Sequence, residues 1–350
     1  MRIFSFLLRG RAPDARLTLV PLAGAFVAAF GLACSSGGGA GDAGGAGSAG
    51  TSGSTGGTTT GSGGSTGADT VLNGFGVNLV AAVPATMTAA YTAVGGKVYD
   101  GAIPSAIAWT VTDQAAGCEL RIPRAPFCSP SCGGGALCVD DNQCAPFPTA
   151  KDVGTVHVKG VGSSEFDLEL VAGNYAQPSA LQIPNPPAAE GADIVLSTSG
   201  GAYEPFTLQG KSILPFALSG TGSIPLKADQ PLELEWSGPG DPDLARIEVK
   251  LDISHHGGTK GEIDCDVSDT GSLEIPAALV TKLVALGVAG FPTVNVRRVS
   301  TGWASLRAGR VWLKVTSIDE RELLVDGVVS CNDTSECPTG KACQTDRTCR

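Results

Sequence analysis

The 350-residue chain is short of the side chains that most catalytic and nucleic-acid-binding proteins depend on. Charged residues make up 17%, aromatics 5%, and there are only three histidines and two methionines. Lys and Arg number 24 against 34 Asp and Glu, a net charge of −10. That balance lacks the clustered cations that phosphate binding requires, which excludes nucleic acid as a partner. Neither a P-loop nor a dinucleotide fingerprint is present, so no cofactor is expected. The longest early apolar run, Leu17–Leu32, has 16 residues, below the roughly 20 that a membrane-spanning helix needs. Glycine and proline are plentiful, at 49 and 22, too turn-rich a composition for a helical protein.

What is present sorts by position. Met1–Arg16 carries Arg2, Arg9, Arg11 and Arg16, and the following Leu17–Leu32 is uncharged, the build of a secretion signal. The run closes on Gly31-Leu32-Ala33-Cys34 and continues Ser35-Ser36-Gly37. This resembles the lipobox of bacterial lipoproteins, which implies that Cys34 is lipidated and heads the mature chain. Loss of residues 1–33 removes four arginines and Asp14, moving the net charge from −10 to −13. So acidic a chain is repelled by anionic lipid, and its partner membrane would be held through the acyl chains. Residues 35–69 are Gly, Ser, Thr and Ala with only Asp42 and Asp69 charged. They have no apolar surface to offset ordering entropy, so a flexible tether spanning roughly 30–35 Å is expected.

Eleven cysteines supply the next signal. With Cys34 set aside, eight of the remaining ten form two clusters: Cys128, Cys132, Cys138, Cys144 and Cys331, Cys337, Cys343, Cys349. The last three of each share an x5 spacing, with a glycine before the third cysteine and aspartate after it, which marks an internal repeat. Zinc sites favour close C-x2–4-C pairs and often histidine. The wide spacing, the lack of histidine and export all favour disulfides. Segments of about twenty residues bury no core and need such crosslinks. Three connectivities are open for each cluster; interlocking first-to-third and second-to-fourth pairing is expected. Cys118 and Cys265 remain and pair only by elimination.

From Val71 onward, short Val/Ile/Leu/Thr runs alternate with Gly, Pro, Asn and Asp, the pattern of antiparallel strands. Candidate strands are 76–83, 97–99, 107–112, 119–122, 154–161, 167–171, 194–197 and 213–218. Further on, Leu232, Leu234 and Trp236 alternate with acids, and Ala245, Ile247, Val249, Leu251 and Ile253 with Arg246, Glu248, Lys250 and Asp252. Period-two alternation buries one face and wets the other. Residues 276–286 form the one helix expected, with Pro276 opening it and Gly287 just past its end. The fold class expected is all-β: two antiparallel β-sandwich domains with two small disulfide-rich modules. The boundaries are 1–33 signal, 34–69 tether, 70–228 first sandwich with a Cys-rich insertion at about 118–148, 229–328 second sandwich, and 329–350 terminal module. Gly96–Gly101 with Pro104 resembles the opening strand and turn of carboxypeptidase-regulatory-like sandwiches, and the second domain resembles immunoglobulin-like and fibronectin-like sandwiches. The whole arrangement is similar to tethered, cysteine-rich outer-membrane lipoproteins of Gram-negative bacteria.

Motifs for chemistry are few. Asp269-Thr270-Gly271-Ser272 matches the aspartic-protease D-T-G-S, but that chemistry needs a second carboxylate, and Asp, Thr and Gly also suit a turn. Gly63-Gly64-Ser65-Thr66-Gly67 matches G-x-S-x-G, but in low-complexity sequence rather than a strand–turn–helix. On a strand His255 and His256 would point to opposite faces and could not readily share one metal, so the pair reads as a polar hairpin tip; Asp264, Asp266 and Asp269 miss the Ca²⁺-loop spacing. No catalytic or metal residue is therefore assigned. In Arg310–Val315, Arg310, Trp312 and Lys314 share the face opposite Val311, Leu313 and Val315, and Arg297 reads outward in the same way. These four form a candidate binding face for an envelope protein or a glycan, unless Trp312 packs on the first domain. The function expected is non-enzymatic: binding, adhesion or structural support at the envelope. A secreted hydrolase or an accessory subunit of an envelope enzyme is the alternative.

Overall fold

The computed structural model describes residues 70–82 and 89–350. Cys34, the tether and Gly63–Gly67 lie outside the described residues. The described chain is all-β, with one α-helix. Its strands are β1 (Val71–Val80), β2 (Tyr91–Tyr99), β3 (Ala108–Ala115), β4 (Cys118–Arg124), β5 (Ala136–Asp140), β6 (Gln143–Pro146), β7 (Ala150–Lys151), β8 (Val156–Lys159), β9 (Phe166–Val171) and β10 (Asn174–Ala176). There follow β11 (Asp193–Thr198), β12 (Thr207–Lys211), β13 (Ile224–Leu226), β14 (Leu232–Glu235), β15 (Arg246–Asp252), β16 (Glu262–Ser268) and β17 (Ser272–Ile275). After helix α1 (Ala277–Ala285) come β18 (Thr293–Leu306) and β19 (Gly309–Val325).

One large sheet runs β12-β11-β8-β9-β10-β2-β1-β19-β18-β15-β16-β4-β3. It is not purely antiparallel, as expected from the short runs: β1 and β13 both pair with β19 in parallel. Parallel pairing joins strands remote in sequence, so no local turn signal announces it. Two hydrophobic cores form along the sheet. The first gathers Phe75, Val77, Val158, Ile194, Leu208 and, from β19, Val311, Leu313 and Val315. The second gathers Trp236, Ile247, Leu251, Ile263, Leu283 and, from the far end of β19, Leu323 and Val325. The expected division at residue 228 therefore does not separate the cores. β18 and β19, with 14 and 17 residues, are long enough to serve both. Around the first core the sheet curls back until β12 meets β18 at Gly302, where a Cβ would stand 1.7 Å from the Gln209 carbonyl oxygen. Only glycine allows that approach.

Alternation accounts for the strands. In β15, Ile247, Val249 and Leu251 are 0–2% exposed, each fully buried aliphatic contributing roughly 1.5–3 kcal/mol. Helix α1 starts after Pro276 and stops where Gly287 takes φ 92°, the left-handed C′ position glycine favours. Residues 213–218 are a correction: they form no strand apart from a single bridge between Leu218 and Trp236. Pro215 has no N–H for a ladder, and the carbonyls of Leu214 and Pro215 are taken by the Arg298 guanidinium.

The cysteine clusters are disulfide modules with the interlocking pattern, Cys128–Cys138 with Cys132–Cys144 and Cys331–Cys343 with Cys337–Cys349. The repeat is also three-dimensional. Ala136 N–H donates to Gly133 as Lys341 N–H does to Pro338, and Asn142 and Arg347 take the same left-handed turn position at φ 58° and 62°. Cys118 and Cys265, register partners on β4 and β16, form the fifth disulfide, buried in the second core.

Candidate binding face

The outer face of β2, β1, β19 and β18 follows from register. Lys97 stands opposite Gly74, Gly74 opposite Trp312, and Trp312 opposite Trp303. One pleat along, Gly95, Gly76, Lys314 and Thr301 form the next row. Inner residues Val311, Leu313 and Val315 are fully buried, which forces Arg310, Trp312 and Lys314 to the opposite side.

Three of the four residues expected on this face come together. Arg310 lies over the Trp303 ring at 4.7 Å, and Lys314 over the Trp312 ring at 5.7 Å, both cation–π distances. Arg297 is on the same face but apart from them. It is the register partner of Ile318 and Glu248, and its Nε donates to Asn295 at 2.8 Å. It sits about 13 Å along β18 from the Lys314 row. Trp312 is half-buried rather than open: a Cβ on Gly74 would stand 2.8 Å from its Cδ2 and 2.0 Å from its carbonyl oxygen. Its ring thus lies across a glycine of β1, and packing on the first segment decides its environment.

The open ring is Trp303, 42% exposed. Nothing singled it out in sequence, because Val299 and Ser300 are buried in succession and Gly302 follows, so alternation is broken just before it. Lys97, packed over Tyr99 at 5.4 Å, belongs to the face through a pairing between distant strands.

Farther along the same face, Lys250 bonds Glu262 at 2.7 Å, with Asp252, Asp264 and Arg121 as cross-strand neighbours of that pair. Burial first, and then the Asp264 carboxylate, push the Glu262 carboxyl up to about 7, while Lys250 and Arg121 pull it back. In the first lobe, His157 is held by Asp167 at 2.6 Å and Glu165 at 3.0 Å; those two carboxylates raise its pKa.

Other sequence motifs resolve into structure. Asp269 is buried against Arg298, at 2.6 Å to Nε, and also accepts from Trp236 Nε1 and Gly240 N–H. His255 and His256 occupy a turn closed by Gly257 N–H to Ser254 O, not a strand, and their rings lie 3.9 Å apart. The turn lies in the connection between the antiparallel strands β15 and β16, the hairpin tip that the sequence suggests. Ser254 and His255 both approach Asp252, but the buried Ser254 hydroxyl donates to Asp252 rather than to the imidazole, so no base activates it. The close-set sulfurs of each cysteine module are consumed by disulfides, which leaves no thiolate for a metal.

Five disulfides point to an oxidising, extracytoplasmic compartment. No helix among the described residues is long and apolar enough to cross a membrane. No protein-family model matches the chain, and no curated protein matches it.

Proposed function

We propose that this chain is an outer-membrane lipoprotein of a Gram-negative envelope, anchored through Cys34, whose β-rich body binds a partner or lends structural support without catalysing a reaction. The observation that carries the reading is the broad cation–aromatic sheet face at Arg310, Trp312, Lys314 and Trp303. A pleated surface of this kind offers contact area rather than an enclosed reaction site. Its disulfide staples suit an exported body on a Gly/Ser tether. The enzyme reading draws support from Glu262, whose raised pKa is of the kind acid–base catalysis uses.

Anchoring is tested by Cys34→Ala. The variant is expected in the soluble fraction, and the wild-type chain is expected to carry an acyl mass on its N-terminal cysteine. A variant that still fractionates with membranes, beside a wild type without acyl mass, overturns the lipoprotein reading.

A further inference from the structure

Building on the reading of a binding protein, we propose that the face around Trp303 and Trp312 binds a linear anionic glycan, a polysaccharide bearing carboxylates or sulfates. The chain would lie across β1, β19 and β18. The aromatic component comes first. Trp312 lies against Gly74 with Lys314 over its ring, and Trp303, its register partner on β18, is 42% exposed. A large ring left open beside cations is an uncommon surface for a soluble domain. The C–H faces of a sugar ring pack on an indole, while its hydroxyls and acidic groups reach outward from the ring edge.

The charges supply the sign. In a chain of net charge −10, Lys97, Arg310 and Lys314 gather on these rows. Among the described residues neither Lys97 nor Arg310 has a carboxylate within ion-pair distance, and the nearest to Lys314 is Glu248 at 4.0 Å. Arg310 Nε is itself shielded from solvent, so only the terminal amino groups of its guanidinium are placed to meet a ligand. Through those two amino groups a guanidinium takes a carboxylate or sulfate by parallel N–H bonds, which gives Arg310 a reason to stand without a carboxylate here.

The floor supplies the access. Gly74, Gly76 and Gly95 lie on adjacent strands of this face, with Asn78 and Thr301 beside them. Gly74 is required by Trp312 and Gly95 by the Tyr175 carbonyl of β10, but at Gly76 the nearest atoms to a Cβ would be those of the Asn78 side chain, at 3.1 Å. Glycine inside a strand often marks a place where a ligand approaches the backbone. From Lys97 to Trp303, and from Arg310 to Lys314, the patch measures roughly 14 Å each way by strand spacing and rise. Three cations on one patch are too few for the many phosphate contacts of nucleic-acid binding.

The test uses the full-length chain extracted in mild detergent, titrated with polygalacturonate, chondroitin sulfate, dextran and a single-stranded oligonucleotide. Binding to polygalacturonate or chondroitin sulfate but not dextran is expected, weakened at least tenfold by 0.5 M salt, where screening is strong. Polygalacturonate alone would assign carboxylates; chondroitin sulfate alone, sulfates. Trp303→Ala is expected to lower affinity at least tenfold with an unchanged melting temperature, and Arg310→Gln to do the same should the first variant fold poorly. No binding to either acidic glycan, undiminished binding by both variants, or equal binding of the oligonucleotide overturns the proposal. Membrane fractionation of the lipidated chain is independent of all these titrations, so failure here leaves the anchoring result standing.

Discussion

Replacing Asp269 with asparagine is the sharpest probe of how the second core is held. The Arg298 guanidinium is wholly buried. It donates to both carboxylate oxygens of Asp269 and to the carbonyls of Leu214, Pro215 and Gly238. Asp269 in turn accepts from Trp236 Nε1 at 2.7 Å and Gly240 N–H at 2.9 Å. Asparagine has the same shape but no charge, so the guanidinium keeps its carbonyls and loses its counterion. Removing one partner of a buried pair costs about 3–5 kcal/mol, a large share of the roughly 5–15 kcal/mol that holds a domain together. Urea unfolding of wild type, Asp269→Asn, Arg298→Met and the double variant would measure it. The double variant removes the orphaned charge, so the coupling should reach about 2–3 kcal/mol. An Asp269→Asn cost below about 1 kcal/mol, or strictly additive single costs, would refute the pin. It would also reopen the Asp-Thr-Gly-Ser stretch to other roles.

Two further outcomes follow. Cys118→Ala/Cys265→Ala opens a crosslink spanning 147 residues, for which loop entropy predicts about 5 kcal/mol as an upper figure; differential scanning calorimetry should show a large fall in melting temperature, and a fall of only a degree or two would mean the strands need no staple. Glu262 is protonated more readily folded than unfolded, since burial lifts it from the ordinary 4.5 to about 7. The folded state therefore holds the extra proton, and this stability is present below about pH 4.5 and lost as pH rises through 7. His157, also raised, acts in the same direction, so the comparison must be with a variant. Glu262→Gln should gain on wild type by roughly 2–3 kcal/mol between pH 4.5 and 8, read from denaturant midpoints; parallel pH profiles would contradict it.

What could be read in the sequence was what depends on near neighbours. Alternation at Ile247, Val249 and Leu251, the Pro276 and Gly287 ends of the helix, and the x5 cysteine repeat each arise within a few residues. The Cys118–Cys265 pair was reached by elimination, not from any local signal. The parallel pairing of β1 with β19 links positions more than 230 residues apart, and it is this pairing that lays Trp312 over Gly74 and brings Lys97 to the same face. Pattern alone could place Arg310, Trp312 and Lys314 on one side, but not show that Arg297 stands apart or that Trp303 is the open ring. The buried Arg298 was invisible for another reason: an arginine within Val-Arg-Arg-Val reads as a wet residue until its five donors are seen to be used.

The strand that carries the candidate face also ties the two cores, and this bears on how the face can work. Val311, Leu313 and Val315 sit in the first core, and Leu323 and Val325 in the second. A one-residue slip of β19 would turn all five outward and bring Arg310, Trp312 and Lys314 in. At roughly 1.5–3 kcal/mol for each buried aliphatic, such a slip forfeits about 8–15 kcal/mol, comparable to the whole stability of an ordinary domain, so the register is fixed from both ends. The outer residues are thereby held in position before any ligand arrives, and little ordering cost falls on binding. The same rigidity leaves those outer side chains free to vary, because the core face alone sets the register. Substitutions at Trp303 and Arg310 should therefore report on binding and not on fold.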